Sequence, residues 1–184
     1  MKLKDIYKYI LSDYTRYYGF KKRWNCEIIL TALVAKNHCF TYSFWLRLAS
    51  FRNPFFYFAR YKHWHLSRKY GIQIPAGTKI GYGFYIGHGI GIVINCGTII
   101  GNNVNISQFL SIGTTKKKPA IISDNVYIGP HVCIVEDVNI GNNTTIGAGA
   151  VVVNDVPDNA TVVGCPAHVI NYNTSKQFIQ NKWV

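Results

Sequence analysis

An aliphatic residue that returns every six positions along the second half of the chain constrains the fold more than any other feature. Thirteen positions follow this step: Ile74, Ile80, Ile86, Ile94, Ile100, Ile106, Ile112, Ile122, Ile128, Ile134, Ile140, Ile146 and Val152. The spacing changes twice, by two extra residues before Ile94 and by four before Ile122. Neither the period of an α-helix nor that of an antiparallel strand produces this step. The pattern predicts a parallel β-helix whose stacked coils bring these residues into an interior ladder.

The residues between the ladder positions fit the same prediction. Seven of the thirteen are followed directly by Gly. Gly-Asn-Asn, at 101–103 and again at 141–143, supplies residues that tolerate the positive φ angles of tight turns. A β-sandwich with accidental periodicity is the alternative, and the number of matched positions counts against it.

Charge divides the chain near residue 71. Residues 1–72 hold 14 Lys and Arg against 3 Asp and Glu, whereas residues 73–184 hold 6 against 5. We therefore expect a basic, aromatic-rich α-helical region at 1–71, the β-helix at 72–170 and a tail at 171–184. The net charge of +12 suggests an anionic partner. No nucleic-acid-binding motif accompanies the charge, so we do not expect nucleic acid to be that partner.

Composition excludes several other classes of protein. With 48% hydrophobic and 15% charged residues, the chain is not disordered. Its five Cys lack CxxC pairing, which argues against a disulfide framework and against a structural zinc site. The first residues include Asp5 and Asp13 within an apolar stretch and resemble no signal peptide. We expect a cytoplasmic protein that needs no metal.

Helical spacing predicts four helices in the N-terminal region, at Asp5–Tyr18, Asn25–Lys36, Phe40–Ala49 and Asn53–Tyr70. In the last of these, Asn53 would be the N-cap and Pro54 the first helical residue. Residues 40–70 interleave aromatic rings with Arg and Lys. Two interpretations stay open: a helical cap packed on the first coils with its rings buried, or peripheral contact with the inner face of a membrane.

The hexapeptides, together with Val162-Val163-Gly164-Cys165-Pro166-Ala167, resemble those of the hexapeptide-repeat acyltransferases. The resemblance covers about residues 72–170, and the segment from Ile86 to Ile94 is most similar to the serine acetyltransferase-like branch. It implies a left-handed β-helix, triangular in section, in a homotrimer with acetyl-CoA bound in the grooves between subunits. The usual right-handed crossover would not have predicted that handedness.

The resemblance also implies a catalytic base. Acetyl transfer from a thioester to a hydroxyl requires a group that accepts the hydroxyl proton, and a neutral imidazole suits this task near pH 7. His88 matches the catalytic His of the family and lies where the two-residue insertion begins. His131 is the other contender on the β-helix. The carboxylate that orients the imidazole in serine acetyltransferases is replaced by Gln73, which can accept a hydrogen bond but carries no charge.

The same resemblance assigns acetyl-CoA contacts. In the family, certain backbone positions line the pantetheine arm of CoA. The residues of this chain that match them are Gly113, Thr114, Gly129, Pro130, Gly147 and Ala148. Lys117 and Lys118 lie in the four-residue extension after Ile112, where they would attract the phosphates of CoA or an anionic acceptor. A solvated polar turn is the alternative for these lysines.

These observations predict an acetyl-CoA-dependent O-acetyltransferase that works by direct transfer. Gly87 stands where serine acetyltransferases carry a carboxylate that recognises the ammonium group, so a hydroxyl of a sugar or polysaccharide precursor is the expected acceptor. Two alternatives remain: serine O-acetylation itself, and a catalytically idle trimeric β-helix that serves as a scaffold.

Overall fold

The computed structural model describes residues 3–19, 25–34, 37–116, 118–172 and 178–184. Four helices come first: α1 Leu3–Tyr18, α2 Asn25–Leu33, α3 His38–Ser50 and α4 Phe56–Tyr70. None of the helices within these residues is long and apolar enough to cross a bilayer.

Short strands alternate with turns along the remaining chain. They are β1 Lys79–Ile80, β2 Tyr85–Ile86, β3 Val93–Ile94, β4 Ile99–Ile100, β5 Asn105–Ile106, β6 Ser111–Ile112, β7 Ile121–Ile122, β8 Tyr127–Ile128, β9 Cys133–Ile134, β10 Asn139–Ile140, β11 Thr145–Ile146, β12 Val151–Val152, β13 Thr161–Val163 and β14 His168–Asn171.

From β1 to β12, every third strand joins the same sheet. Sheet 1 contains β1, β4, β7 and β10, sheet 2 contains β2, β5, β8, β11, β13 and β14, and sheet 3 contains β3, β6, β9 and β12. All pairs are parallel except β13 with β14, which is antiparallel. Each of the four coils from β1 to β12 therefore contributes one strand to each of three sheets, which confirms the parallel β-helix. Its left-handed sense remains a prediction.

The ladder residues form the core of this prism. From Ile86 to Ile146, each ladder position is at most 2% exposed, and each pairs in register with the ladder residue one coil away. Only Ile80, on the first coil, is partly exposed. Burial of one such side chain stabilises the fold by roughly 1.5–3 kcal/mol, so the repeat itself supplies most of the core.

The turns between strands form three corners. The first corner lies between sheets 1 and 2 and includes residues 81–84, 101–104, 123–126 and 141–144. The second corner lies between sheets 2 and 3 and includes residues 87–92, 107–110, 129–132 and 147–150. The third corner lies between sheets 3 and 1 and includes residues 95–98, 113–120 and 135–138. At the first corner one residue per coil takes a positive φ angle: Gly83 in the first coil, then Asn103, Asn125 and Asn143, of which Asn103 and Asn143 belong to the two Gly-Asn-Asn turns. Asn accepts this conformation at low cost.

A buried ion pair fixes the helices on the first coil. Asp13 of α1 accepts hydrogen bonds from the guanidinium of Arg47 on α3, from Ser43 Oγ and from the backbone N–H of Phe84. Arg47 also donates to the carbonyls of Ile80 and Gly81. The helical region and the β-helix are therefore joined by polar contacts as well as by a continuous apolar core.

The start of α4 differs from the expected one. The helix begins at Phe56 rather than after Asn53, and its N-cap residue, Phe55, forms no side-chain cap. Asn53 instead donates to the carbonyls of Leu48 and Phe51 at the end of α3 and accepts from Phe55 N–H. The Asn side chain thus closes the turn between two helices, because the last carbonyls of α3 need donors.

Candidate active site

His88 lies on the second corner, two residues after the end of strand β2. This corner has six residues in the first coil and four in each of the next three coils, so the predicted insertion forms an extra loop. The His88 side chain is exposed, and its carbonyl accepts a hydrogen bond from Ile90 N–H at 3.0 Å. Ile92 returns the chain to the core. The imidazole is therefore accessible on a segment that is anchored at both ends.

Two helices hold this segment from behind. The Tyr17 hydroxyl of α1 accepts from Ile86 N–H at 3.0 Å and donates to the Ile86 carbonyl at 3.1 Å. The Cys39 thiol of α3 accepts from Gly89 N–H at 3.2 Å and donates to the Gly87 carbonyl at 3.7 Å. Burial raises the pKa of Cys39 and raises that of Tyr17 further, so both groups remain protonated near neutral pH. Cys39 thus contacts the peptide groups on both sides of His88.

Gln73 lies one coil below, on the sheet 3 side of the same region. Its backbone pairs in parallel with Val93, and its side chain is exposed. Among the described residues, no hydrogen bond joins the side chains of Gln73 and His88. No Asp or Glu occurs anywhere between Glu27 and Asp124, so neither coil around His88 supplies a carboxylate of its own. A protonated His88 would lack a negatively charged protein partner from this stretch.

A cavity of about 310 Å³ adjoins Gln73, between α4 and the first coil. Arg60, Trp64 and Ser67 line it from α4, and His63 forms its buried wall. The His63 ring bonds to the Tyr42 hydroxyl at 3.0 Å, and burial lowers the pKa of His63 to about 4. The cavity therefore combines an arginine, an indole and neutral polar groups, and it contains no carboxylate.

The predicted acetyl-CoA residues fall into two groups. Gly129, Pro130, Gly147 and Ala148 stack on the second corner, above His88, with Gly149 N–H donating to the Pro130 carbonyl. Here the coils approach closely, since a Cβ atom on Gly129 would lie 2.9 Å from the backbone N of Ala148. A small residue is required at this position by the neighbouring backbone.

The second group lies on the third corner, across sheet 3. Gly113 is open to solvent, with nothing within 4 Å of a Cβ built on it. Thr114 Oγ1 donates to Glu136 at 3.0 Å, and the same carboxylate accepts from the N–H groups of Thr115 and Lys116. Lys118 is exposed, and its carbonyl accepts from Asp137 N–H; Lys117 lies outside the described residues. Sheet 3 therefore separates the two groups within one protomer.

The alternative base, His131, has a structural environment. It takes a positive φ of 57° at the second corner, where Gly91, Phe109 and Gly149 do the same in other coils. Its ring stacks on Phe109 with the centroids 4.7 Å apart. His131 thus belongs to a repeated corner turn. Within the described part of the chain, no group of three His, Cys, Asp or Glu side chains could hold a metal.

Four residues that contact the site were not predicted from the sequence. Cys39 and Tyr17 come from helices far along the chain from His88, and Glu136 carries no motif. His38 also approaches: its Cδ2 atom would lie 3.5 Å from a Cβ on Gly89. The repeat offers one signal for Glu136. Its period places Glu136 at the third corner, one coil after Thr114, and so predicts that the two residues are neighbours.

Comparison with known proteins agrees with the fold and the repeat. Residues 119–154 match the bacterial transferase hexapeptide family model. A serine acetyltransferase of Bacillus subtilis is 38% identical over 133 residues, which cover 70% of this chain and 61% of that protein. A serine acetyltransferase of Synechococcus elongatus is 40% identical over 111 residues, covering 58% and 46%.

Solved structures show the same relationship over more of the chain. The structure of Neisseria gonorrhoeae serine acetyltransferase in complex with serine is 28% identical, with a TM-score of 0.72, and the match covers 92% of this chain and 70% of that one. Soybean serine acetyltransferase complexed with serine is 26% identical, with a TM-score of 0.73 over 91% and 70%.

The relatives favour serine acetyltransferases over the expected sugar and polysaccharide branch, which finds no support among them. The chain spans about half to three fifths of the length of these curated relatives. The chain thus carries the repeat of the bacterial transferase hexapeptide family at residues 119–154, and the relatives that it resembles are serine acetyltransferases.

Proposed function

We propose that this protein transfers the acetyl group of acetyl-CoA to the hydroxyl of serine, with His88 as the general base. The observation that carries the proposal is the accessible imidazole on the extra loop of the second corner, in a chain whose homologues are serine acetyltransferases. Hydrogen bonds from α1 and α3 hold the segment that carries His88 from behind, and a fixed position of this kind supports a role as a base.

The reaction is a direct transfer. His88 takes the proton of the acceptor hydroxyl, and the oxygen attacks the carbonyl carbon of the thioester to form a tetrahedral oxyanion. The carbon–sulfur bond then breaks, and the proton on His88 passes to the departing thiolate of CoA. The products are the acetyl ester and free CoA, and the imidazole returns to its neutral form. The side chains of Gln73 and His88, both within the described residues, form no hydrogen bond, so the orienting role predicted for Gln73 is not part of this mechanism.

The position of the acetyl-CoA residues supports a shared site. The second-corner residues such as Gly129 and Ala148 and the third-corner residue Thr114 lie on opposite sides of sheet 3. A groove between two protomers would bring the second corner of one chain towards the third corner of the next. We therefore propose a homotrimer, whose mass in solution would be about three times 20.9 kDa in light scattering; a monomeric mass would contradict it.

A second acceptor class has a specific observation in its favour. The ammonium group of serine needs a negative partner, and no Asp or Glu occurs between Glu27 and Asp124, the stretch that contains both Gln73 and His88. An acceptor without an ammonium group, such as a sugar hydroxyl, places no such demand on the site. Acetylation of a sugar is therefore the second candidate.

One assay separates these candidates. Release of CoA from acetyl-CoA is followed by a thiol reagent with L-serine, ethanolamine, glycerate, simple sugars and nucleotide sugars as acceptors. Serine O-acetylation predicts release with L-serine above the others. Preference for glycerate or a sugar would transfer the assignment to the second candidate. Release no faster than in the absence of protein, with every acceptor, would reject catalysis and leave the scaffold.

A further inference from the structure

The aromatic residues of 40–70 divide into two groups. Those of α3 are buried: Phe40, Tyr42, Phe44 and Trp45 are at most 7% exposed. Those at and after the start of α4 are not: Phe55 is 57% exposed, Tyr57 81%, Phe58 52%, Tyr61 60% and Trp64 50%. The helical cap expected from the sequence therefore accounts for α3 alone. The five exposed rings, here called the aromatic face, have no covering element among the described residues.

Cations accompany these rings along α4. The ammonium of Lys62 lies 5.7 Å from the Phe58 ring centre, and the Arg68 guanidinium lies 4.1 Å from that of Trp64. Arg60 and Lys69 add two further charges, and α4 contains no acidic residue. A helix that alternates exposed rings with Arg and Lys has the composition of segments that lie in the headgroup layer of a bilayer.

An apolar depression of about 500 Å³ continues the aromatic face towards α1 and α2. Phe55 and Phe58 line one side of it, and Leu3, Ile29 and Leu33 line the other. These three aliphatic side chains are 50%, 45% and 57% exposed. Lys4 is the one charged residue among the lining residues that the structure describes. Contiguous exposed apolar surface of this kind marks an interaction site.

The positive charge of this surface favours an anionic partner. A second copy of the chain, packed face to face, would oppose Arg60 and Lys62 with the same cations. An anionic lipid surface would instead supply the countercharge, and its acyl region would cover the rings and the depression. We propose that the aromatic face and the adjoining depression dock on an anionic membrane, with Lys62 and Arg60 at the level of the headgroups.

The docked orientation has a consequence for the candidate site. Arg60 and Trp64 also line the cavity beside Gln73, so docking would place that cavity at the membrane surface. The inference does not depend on which acceptor the protein uses, since binding to lipid needs neither acetyl-CoA nor a hydroxyl substrate.

Co-sedimentation with vesicles tests the proposal on the full chain. Vesicles of phosphatidylcholine alone are compared with vesicles that also contain phosphatidylglycerol, at moderate salt. We expect binding to the second kind. The Arg60→Gln/Lys62→Gln variant should bind about 25-fold more weakly, since each cation near an anionic surface contributes roughly fivefold. A Lys79→Gln variant, which removes an exposed cation from strand β1, should bind as the wild type does.

The rings are tested separately by Tyr57→Ser/Tyr61→Ser, which changes two exposed side chains and leaves the core intact. The matched control is Tyr172→Ser, because Tyr172 is 62% exposed at the far end of the β-helix. Weaker binding by the first variant alone supports the proposal. Equal binding by wild type and both double variants, or no binding to anionic vesicles, would overturn it. A lower molar mass of Tyr57→Ser/Tyr61→Ser in vesicle-free light scattering would also overturn it, by assigning the face to contacts between copies.

Discussion

The ion pair between Asp13 and Arg47 offers the sharpest test of how the helices are attached to the first coil. The two side chains are 1% and 4% exposed, and the Asp13 carboxylate accepts four hydrogen bonds, two of them from the guanidinium at 2.8 and 2.9 Å. Asp13→Asn keeps the shape of the side chain and leaves the guanidinium buried without its countercharge. Loss of one member of such a pair costs about 3–5 kcal/mol.

A double-mutant cycle separates the pair from its surroundings. Arg47→Met should cost a similar amount, because it leaves a buried carboxylate and also removes the donors to the Ile80 and Gly81 carbonyls. The double variant Asp13→Asn/Arg47→Met contains neither charge and should cost less than the two single changes together, by about 1–3 kcal/mol.

Urea unfolding followed by circular dichroism measures these free energies, with all four proteins at one concentration because assembly adds to stability. Since whole domains are stable by only about 5–15 kcal/mol, either single variant should show a clearly lower midpoint. Two single changes that each cost below about 1 kcal/mol, or costs that simply add, would refute the reasoning. The ion pair would then contribute no more to the free energy of unfolding than a salt bridge on the protein surface.

Four further predictions concern the site. His88→Ala should lower kcat by about 10²–10⁴-fold in the CoA-release assay, whereas His131→Ala should leave it nearly unchanged; equal losses would remove His88 as the base. Glu136→Ala should raise the KM for acetyl-CoA about tenfold by freeing the loop at 114–116, with Glu136→Gln intermediate, and an unchanged KM would contradict this role. Cys39→Ala should lower kcat about tenfold without changing the KM for acetyl-CoA, and Cys39→Ser should recover part of the rate, because the thiol only positions the segment that carries the base. Burial lowers the pKa of His63 from 6.5 to about 4, so between these pH values the unfolded chain binds a proton on His63 and the folded chain does not. The free energy of unfolding should therefore fall by about 3 kcal/mol as the pH drops from 6.5 to 4. A His63→Gln variant with the same pH dependence of unfolding would assign the loss to other groups.

The repeat made most of the β-helix predictable. Each ladder residue from Ile86 to Ile146 is buried, since a side chain that returns at the same point of every coil can face only the interior or only the solvent. Both breaks in the spacing also became real loops: the one at His88, and the one at Thr114. The residue count therefore located both loops, whereas the resemblance to the acyltransferase family selected His88 on the first of them as the candidate base.

Contacts between the helices and the coils could not be predicted in the same way. The hydrogen bond from Gly89 N–H to Cys39 joins residues 50 positions apart, and no periodicity connects a helix with a single turn of the prism. Asn53 was misassigned because the same side chain can cap the next helix or close the previous one, and only the tertiary arrangement decides between them. The exposure of Tyr57 likewise depends on which helix covers the coil.

Strand β14 has a consequence for the assembly of the protein. A stack of parallel coils ends in a row of unpaired peptide groups, which could accept another chain as readily as its own next coil. Here β14 runs back against β13 in the opposite direction, while α3 and α4 lie over the first coil. Sheet 2 is thus closed by an antiparallel strand, and helices cover the first coil, so the column is not extended by parallel strand pairing at either of these two places. The number of coils, and with it the height of any groove between neighbours, is set within a single polypeptide.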